Sequence, residues 1–158
     1  MSRTVRCFAR LACPFSLMLL GILACSDASP TGPSDEFTDL VGDWEAYLLE
    51  VAAVADPSVR EDILAQGATF RVNFQPSGQY TAVLTFLGAS QVEIGTADLD
   101  GNQLTLYRAV PSPDTSVAVL TRLDADHIRL EGTTFFDFEG DGTREEAELL
   151  AELARQES

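Results

Sequence analysis

The sequence predicts an all-β domain: an antiparallel up-and-down meander of about eight to nine strands curled into a barrel, with one short helix after the first strand. Three observations lead there. From Thr69 onward apolar and polar residues alternate with a period of two, as in strands with one buried face. Tight-turn motifs, Pro76-Ser77-Gly78, Asp100-Gly101-Asn102 and Asp124-Ala125-Asp126, separate the alternating runs. All three cysteines, Cys7, Cys13 and Cys25, precede the alternating region, so the domain must stand on its apolar core without a disulfide or a cysteine metal site.

The first 24 residues differ in kind from the rest. Arg3, Arg6 and Arg10 make a positive start, and no acid precedes Asp27. Residues 11–24 are almost all apolar, but the run contains Pro14 and is shorter than the roughly 20 residues that span a bilayer. It reads as a signal-peptide core. At its end Ile22-Leu23-Ala24-Cys25 resembles the lipobox of bacterial lipoproteins. That resemblance implies cleavage before Cys25, a diacylglycerol on its thiol, and anchoring in the cell envelope, since several acyl chains hold a protein on a membrane where one does not. Ser26, in place of Asp, implies by the same resemblance the outer membrane, facing the periplasm. The alternative is an ordinary secretory signal with a cysteine beside the cut.

Residues 25–38 follow as the lipidated cysteine and a Ser-, Pro- and Asp-rich tether without apolar periodicity, read as disordered. Residues 39–155 are the size of one domain. The precursor carries 10 basic and 25 acidic residues. Removing the three signal arginines leaves seven against 25, a formal −18, with no lysine anywhere. Such a surface repels nucleic acid and anionic headgroups, which excludes nucleic-acid binding as a function class.

The strands follow in order. After the first, residues 56–66 read as the short helix, with Asp56 as N-cap, Pro57 at the first helical position and Val59, Ile63 and Leu64 as the buried stripe. Phe70, Val72 and Phe74 share one face, as do Tyr80, Ala82, Leu84 and Phe86. Val92, Ile94 and Thr96 lie opposite Gln91 and Glu93. Leu104 and Leu106 continue past a turn, then Val117, Val119 and Leu123, then Ile128 and Leu130, then Thr134, Phe136 and Phe138. The stretch Glu145–Arg155 suits a helix by composition. Its Ala147, Leu149, Ala151 and Leu153 also alternate, and a last strand pairing with the first would remove exposed edges, so a strand is favoured.

Gly42 and Trp44, at the start of the first strand, form a Gly-x-Trp pair. It resembles that of lipocalins and bacterial lipocalin-like domains, and the resemblance covers residues 39–155. In that family the glycine eases the strand's start and the tryptophan plugs the closed end, which implies those roles for Gly42 and for Trp44, the chain's single tryptophan. An eight-stranded barrel either holds one small ligand or is filled by its own side chains.

No catalytic constellation stands out, and the chain reads as a non-enzyme. The single histidine, His127, has the polar parity of its strand and reads as a surface residue. Arg108 has the parity of Leu104 and Leu106, so it points inward. A buried arginine needs an anionic partner: a ligand carboxylate, an internal acid, or else solvent at the mouth. Asp137 to Glu148 fits the spacing of an EF-hand-type calcium loop, with oxygens from Asp137, Glu139, Asp141, Thr143 and Glu148. The alternative is an acidic turn. Apart from that calcium no cofactor is expected. The function expected is a lipid-anchored envelope protein that binds a small apolar or amphipathic ligand in the barrel. The alternative is a structural or interaction module without a ligand cavity, either of them with or without calcium.

Overall fold

Nine strands form in the computed structural model, which describes residues 35–157. They are β1 (Gly42–Ala53), β2 (Arg60–Asp62), β3 (Thr69–Phe74), β4 (Gln79–Phe86), β5 (Ala89–Asp100), β6 (Gln103–Val110), β7 (Asp114–Arg122), β8 (His127–Phe136) and β9 (Glu145–Arg155). A single helical turn, α1 (Asp35–Thr38), precedes them. The signal segment, Cys25 and most of the tether lie outside the described residues. Neighbours pair antiparallel in the order β2-β1-β3-β4-β5-β6-β7-β8-β9, and β9 pairs again with β1. Eight strands therefore close a barrel and β2 is appended to it. The expected all-β, up-and-down antiparallel meander closed into a barrel is the fold.

Closure decides the ambiguous C-terminal stretch. β9 hydrogen-bonds on both sides, to β8 from His127↔Ala154 to Phe136↔Glu145 and to β1 from Trp44↔Arg155 to Ala53↔Ala147. Ala147, Ala151 and Leu153 are buried. Two ladders and an inward apolar face outweigh the helix propensity of EEAELLAELAR, a few tenths of a kcal/mol per residue.

The helix expected over residues 56–66 does not form. Asp56 does accept from its neighbours, at 3.0 Å from the Ser58 amide and 2.6 Å from its hydroxyl, but this makes a turn. Arg60–Asp62 then becomes β2. The reason is an open ladder: β3 pairs with β1 only over Gly42–Glu45, which leaves the upper half of β1 without a partner on that side. Ala52↔Arg60 to Glu50↔Asp62 fill it. Ile63 is buried as expected, whereas Val59 is 42% exposed.

A second difference concerns β5 and β7. The residues expected to face the core, Val92, Ile94, Val117 and Val119, point outward and are 42–50% exposed. Gly95, Ala97 and Leu99 face inward instead. Leu99 pairs with Leu104, and that pair sets the register of both strands, since the period of two then fixes every other residue's face.

The core is densest where β1 begins. Phe37, Leu40, Trp44, Phe74, Tyr80 and Leu104 are each at most 2% exposed there. Phe37, just ahead of the region read as the domain, packs edge-on against Phe74 at 6.0 Å. β1 carries a bulge between Ala46 and Leu48. It shifts the inward phase from Trp44 to Leu49 and Val51, so the strand keeps an apolar inner face along its length.

Candidate functional site

The closed end is built on Trp44. Its indole Nε1 donates to the Leu40 carbonyl at 2.8 Å, which folds the preceding chain across the barrel's base. The Arg155 guanidinium lies over the ring, 4.3 Å from its centre, a cation–π geometry. It donates from Nη1 to the Val41 carbonyl and from Nη2 to the Asp39 carbonyl, both at 2.6 Å. Gly42 has φ +134, and a Cβ there would stand 2.8 Å from Arg155 Nη1. The first and last strands are thus locked by Gly42, Trp44 and Arg155. Sequence reading singled out the first two and missed Arg155, although the only signal needed was its position: the inward parity of Leu153, one step beyond the last apolar residue of an alternating run.

A polar tier runs obliquely from Tyr80, near the closed end, to Asp114, at the turn between β6 and β7. Register aligns Tyr80 with Gly95, Gly95 with Arg108, and Arg108 with Asp114, one row across four strands. Arg108 points inward, as its parity requires. Its Nη1 donates to Glu93 at 2.8 Å, its Nη2 to Asp114 at 2.7 Å and its Nε to the Ser112 carbonyl at 3.0 Å. Glu93 and Asp114, whose side chains are 36% and 56% exposed, therefore supply its counter-charge beside solvent, and the group carries one cation against two carboxylates. The hydrogen bond it donates to Glu93 holds the guanidinium more firmly protonated than usual.

Tyr80 completes the row. It is 1% exposed, and its hydroxyl has no hydrogen-bond partner among the described residues. Burial raises its pKa, and the Glu93 carboxylate adds to this, so the phenol stays neutral. A buried hydroxyl left unpaired costs about 1–3 kcal/mol, which makes it a strained element of the row. Sequence reading missed Glu93, Asp114 and Tyr80 as a group, because the contacts arise from register across strands.

On the strand ends away from Trp44, and in the loop after β8, Phe70, Leu84, Phe86, Phe136 and Phe138 are only partly buried against the core. They form an apolar rim at the end opposite Trp44, with Phe136 and Phe138 edge-on at 5.0 Å. Two open depressions lie elsewhere. One, of about 450 Å³, sits outside the closed end between Asp39, Arg122, Asp124 and Arg155. The other, of about 460 Å³, lies on the outer wall between Glu50, Arg60, Glu131 and Glu148.

The acidic loop between β8 and β9 is organised by Asp137. Its Oδ1 accepts from the Gly140 amide at 2.7 Å and the Asp141 amide at 3.2 Å, and its Oδ2 from the Gly142 amide at 2.8 Å. Asp141 accepts from the Thr143 amide at 2.7 Å. Glu139 lies exposed in the same loop. Glu148, the expected last calcium ligand, sits on β9 opposite Thr133, outside the loop. No group of three or more His, Cys, Asp or Glu among the described residues is placed to hold a metal. His127 is at the outer surface, with Nδ1 at 2.8 and 2.9 Å from the two Asp124 oxygens.

No protein-family model matches the chain, and no curated protein does. Among solved structures it is similar to a lipocalin-like protein from Bacteroides uniformis, at 16% identity and a TM-score of 0.45, covering 75% of this chain and 99% of that one. It is also similar to the structure of EF1p2_mFAP2b bound to DFHBI, at 17% identity and a TM-score of 0.47, covering 76% of this chain and 96% of that one. The class of the protein, a closed eight-stranded antiparallel barrel with one appended strand, follows from its own strand order.

Proposed function

We propose that this is a lipid-anchored protein of the cell envelope that takes a small amphipathic molecule into the open end of its barrel. The observation that carries the reading is the juxtaposition of an apolar rim with the inward Arg108, its two carboxylates and the unpaired Tyr80 hydroxyl. An apolar wall with a few convergent polar groups is the usual composition of a small-molecule site. Apolar atoms of the ligand would rest on the rim, and its polar group would meet the tier, with Arg108 positioned to bind it.

The test is native mass spectrometry of the chain as the cell exports it, purified without chelator. An added mass of a small organic molecule is expected, lost or weakened in Arg108→Ala. A bare polypeptide in the wild type, together with no uptake of added decyl-chain alcohols, amines or acids, would remove the reading. A second reading, an interaction module without a ligand cavity, is favoured by one observation: Trp44, Phe74, Tyr80, Leu104, Ile128 and Leu153 are each at most 2% exposed and fill the barrel's interior. It predicts that bare mass.

Anchoring rests on Ile22-Leu23-Ala24-Cys25. Cys25→Ala is expected to accumulate as uncleaved precursor and to take up no fatty-acid analogue in metabolic labelling. Labelling of that variant would defeat the assignment.

For the acidic loop the hydrogen bonds that Asp137 accepts leave its carboxylate already engaged, and we infer a turn in which calcium is not required. At 1 mM calcium a site of 10 μM affinity would add about 2.7 kcal/mol. Melting temperatures in calcium and in chelator are expected to agree, and a rise of several degrees with calcium would assign the loop to the metal.

A further inference from the structure

The chain enters the barrel at its closed end and is fastened there before β1 begins. Asp35–Thr38 makes the single turn α1, and the backbone then crosses the base to reach Gly42. Phe37 is 1% exposed and Leu40 0%, so both side chains belong to the core. Four backbone carbonyls of this stretch are held by three side chains. Trp44 donates to Leu40 at 2.8 Å, Arg122 to Glu36 at 2.7 Å, and Arg155 to Asp39 and Val41 at 2.6 Å each. Residues 36–41 are thus a strap across the base, and the barrel takes hold of the chain from residue 36 onward.

That attachment limits where the mouth can lie relative to Cys25. The turns at 75–78, 101–102 and 123–126 are at the base with the strap, whereas those at 87–88, 111–113 and 137–144 are at the mouth. β1 has 12 residues. At a rise of about 3.3 Å per residue and a tilt of about 40°, base and mouth stand about 30 Å apart along the barrel axis. Ten residues separate Cys25 from Asp35. A chain of that length spans at most about 36 Å. With the base toward a bilayer that holds Cys25, every shorter extension of those ten residues is allowed. With the mouth toward it, they must run the height of the barrel, clear its flank and still reach the lipid, which leaves them almost no conformational freedom. Chain entropy therefore separates the two orientations.

We propose that the strap holds the closed end toward the bilayer that carries the anchor and turns the mouth away from it. The proposal rests on the lipid-anchor reading given above. It comes from reach alone and needs no adhesion of the barrel to lipid. Its consequence for the site is the source of the ligand: a molecule entering such a mouth arrives through the aqueous phase and not out of the leaflet that holds Cys25. The strap is what makes the limit strict. If residues 36–41 were released from the base, the reach would grow by about 20 Å, and the mouth could be brought to the same bilayer without strain.

The test is energy transfer from the full-length gene product, lipidated as the cell processes it, on neutral phosphatidylcholine vesicles that contain a rhodamine-labelled lipid. All three cysteines lie at or before Cys25, so a single dye can be placed in the barrel by substitution. Leu87→Cys, at a position 83% exposed in the β4–β5 turn, reports the mouth. Ala125→Cys, exposed in the β7–β8 turn, reports the base. Transfer is expected to be several-fold greater from position 125 than from position 87. Inserting about twenty Gly and Ser residues after Gly32 should bring the two positions close together in transfer, because the reach then far exceeds the height of the barrel. Equal transfer from the two positions in the parent chain, or more from position 87, overturns the proposal while flotation with the vesicles upholds the anchor. So does a difference that the longer tether leaves unchanged, since the base would then be held by adhesion. A chain that does not float with the vesicles defeats the anchor reading, and the orientation with it.

Discussion

Replacing Trp44 with alanine is expected to lower the stability of the barrel by about 3–5 kcal/mol, the largest effect of any single side chain. In thermal unfolding this corresponds to a fall of about 10–25 °C for a domain of this size. Three losses combine. The indole is 2% exposed at the base of the core, so its removal leaves a cavity walled by rigid strands. The Leu40 carbonyl loses the donor that holds the incoming chain across the base. Arg155 loses the ring beneath its guanidinium.

The last loss can be separated from the others. Arg155→Ala alone is expected to cost less, about 1–3 kcal/mol, because its carbonyl partners at Val41 and Asp39 can turn to water. The double variant should then be milder than the sum by about 0.5–1.5 kcal/mol, the coupling of a stacked cation and ring. Strict additivity would mean that the two residues stabilise the closed end independently. An unchanged melting temperature in Trp44→Ala would remove the plug altogether.

The contrast between the two ends explains what the sequence made legible. The meander was readable because a period of two is local: Phe70, Val72 and Phe74 declare a buried face without reference to any other strand. The final strand was readable for the same reason, once closure was seen to favour it. The helix at residues 56–66 was misread because Asp56-Pro57 is an equally good turn signal, and the deciding fact, an unpaired stretch of β1, belongs to another part of the chain. The outward faces of β5 and β7 escaped for a related reason. Hydrophobicity there marks the wrong side, and only the neighbouring Leu99–Leu104 pair fixes the register. Arg108 could be placed inside by parity, but Glu93, Asp114 and Tyr80 reach it from three other strands, a convergence that no local pattern encodes.

Gly95→Ala is expected to be nearly as damaging as loss of the plug, at about 3 kcal/mol, and to act on the site as well as the fold. A Cβ at this position would stand 2.1 Å from the Tyr107 carbonyl oxygen and 2.9 Å from the Arg108 Cα. Both are backbone atoms, so no side-chain rotation relieves the clash and β6 must move away. That motion carries Arg108 with it, out of a row in which Tyr80, Gly95, Arg108 and Asp114 lie side by side. Gly132→Ala is the matched control. It also faces inward, but its nearest contact would be the Val117 carbonyl oxygen at 3.1 Å, which a shift of a few tenths of an ångström accommodates. Thermal unfolding should rank Gly95→Ala well below Gly132→Ala, and hydrogen exchange should quicken at the β5–β6 ladder in the first variant only. If ligand capture depends on the polar tier, Gly95→Ala should lose it while Gly132→Ala keeps it. Equal melting temperatures for the two variants would show that β6 yields freely at this point, and the close approach at Gly95 would then set neither the register shift between β5 and β6 at Ile94/Gly95 nor the position of Arg108.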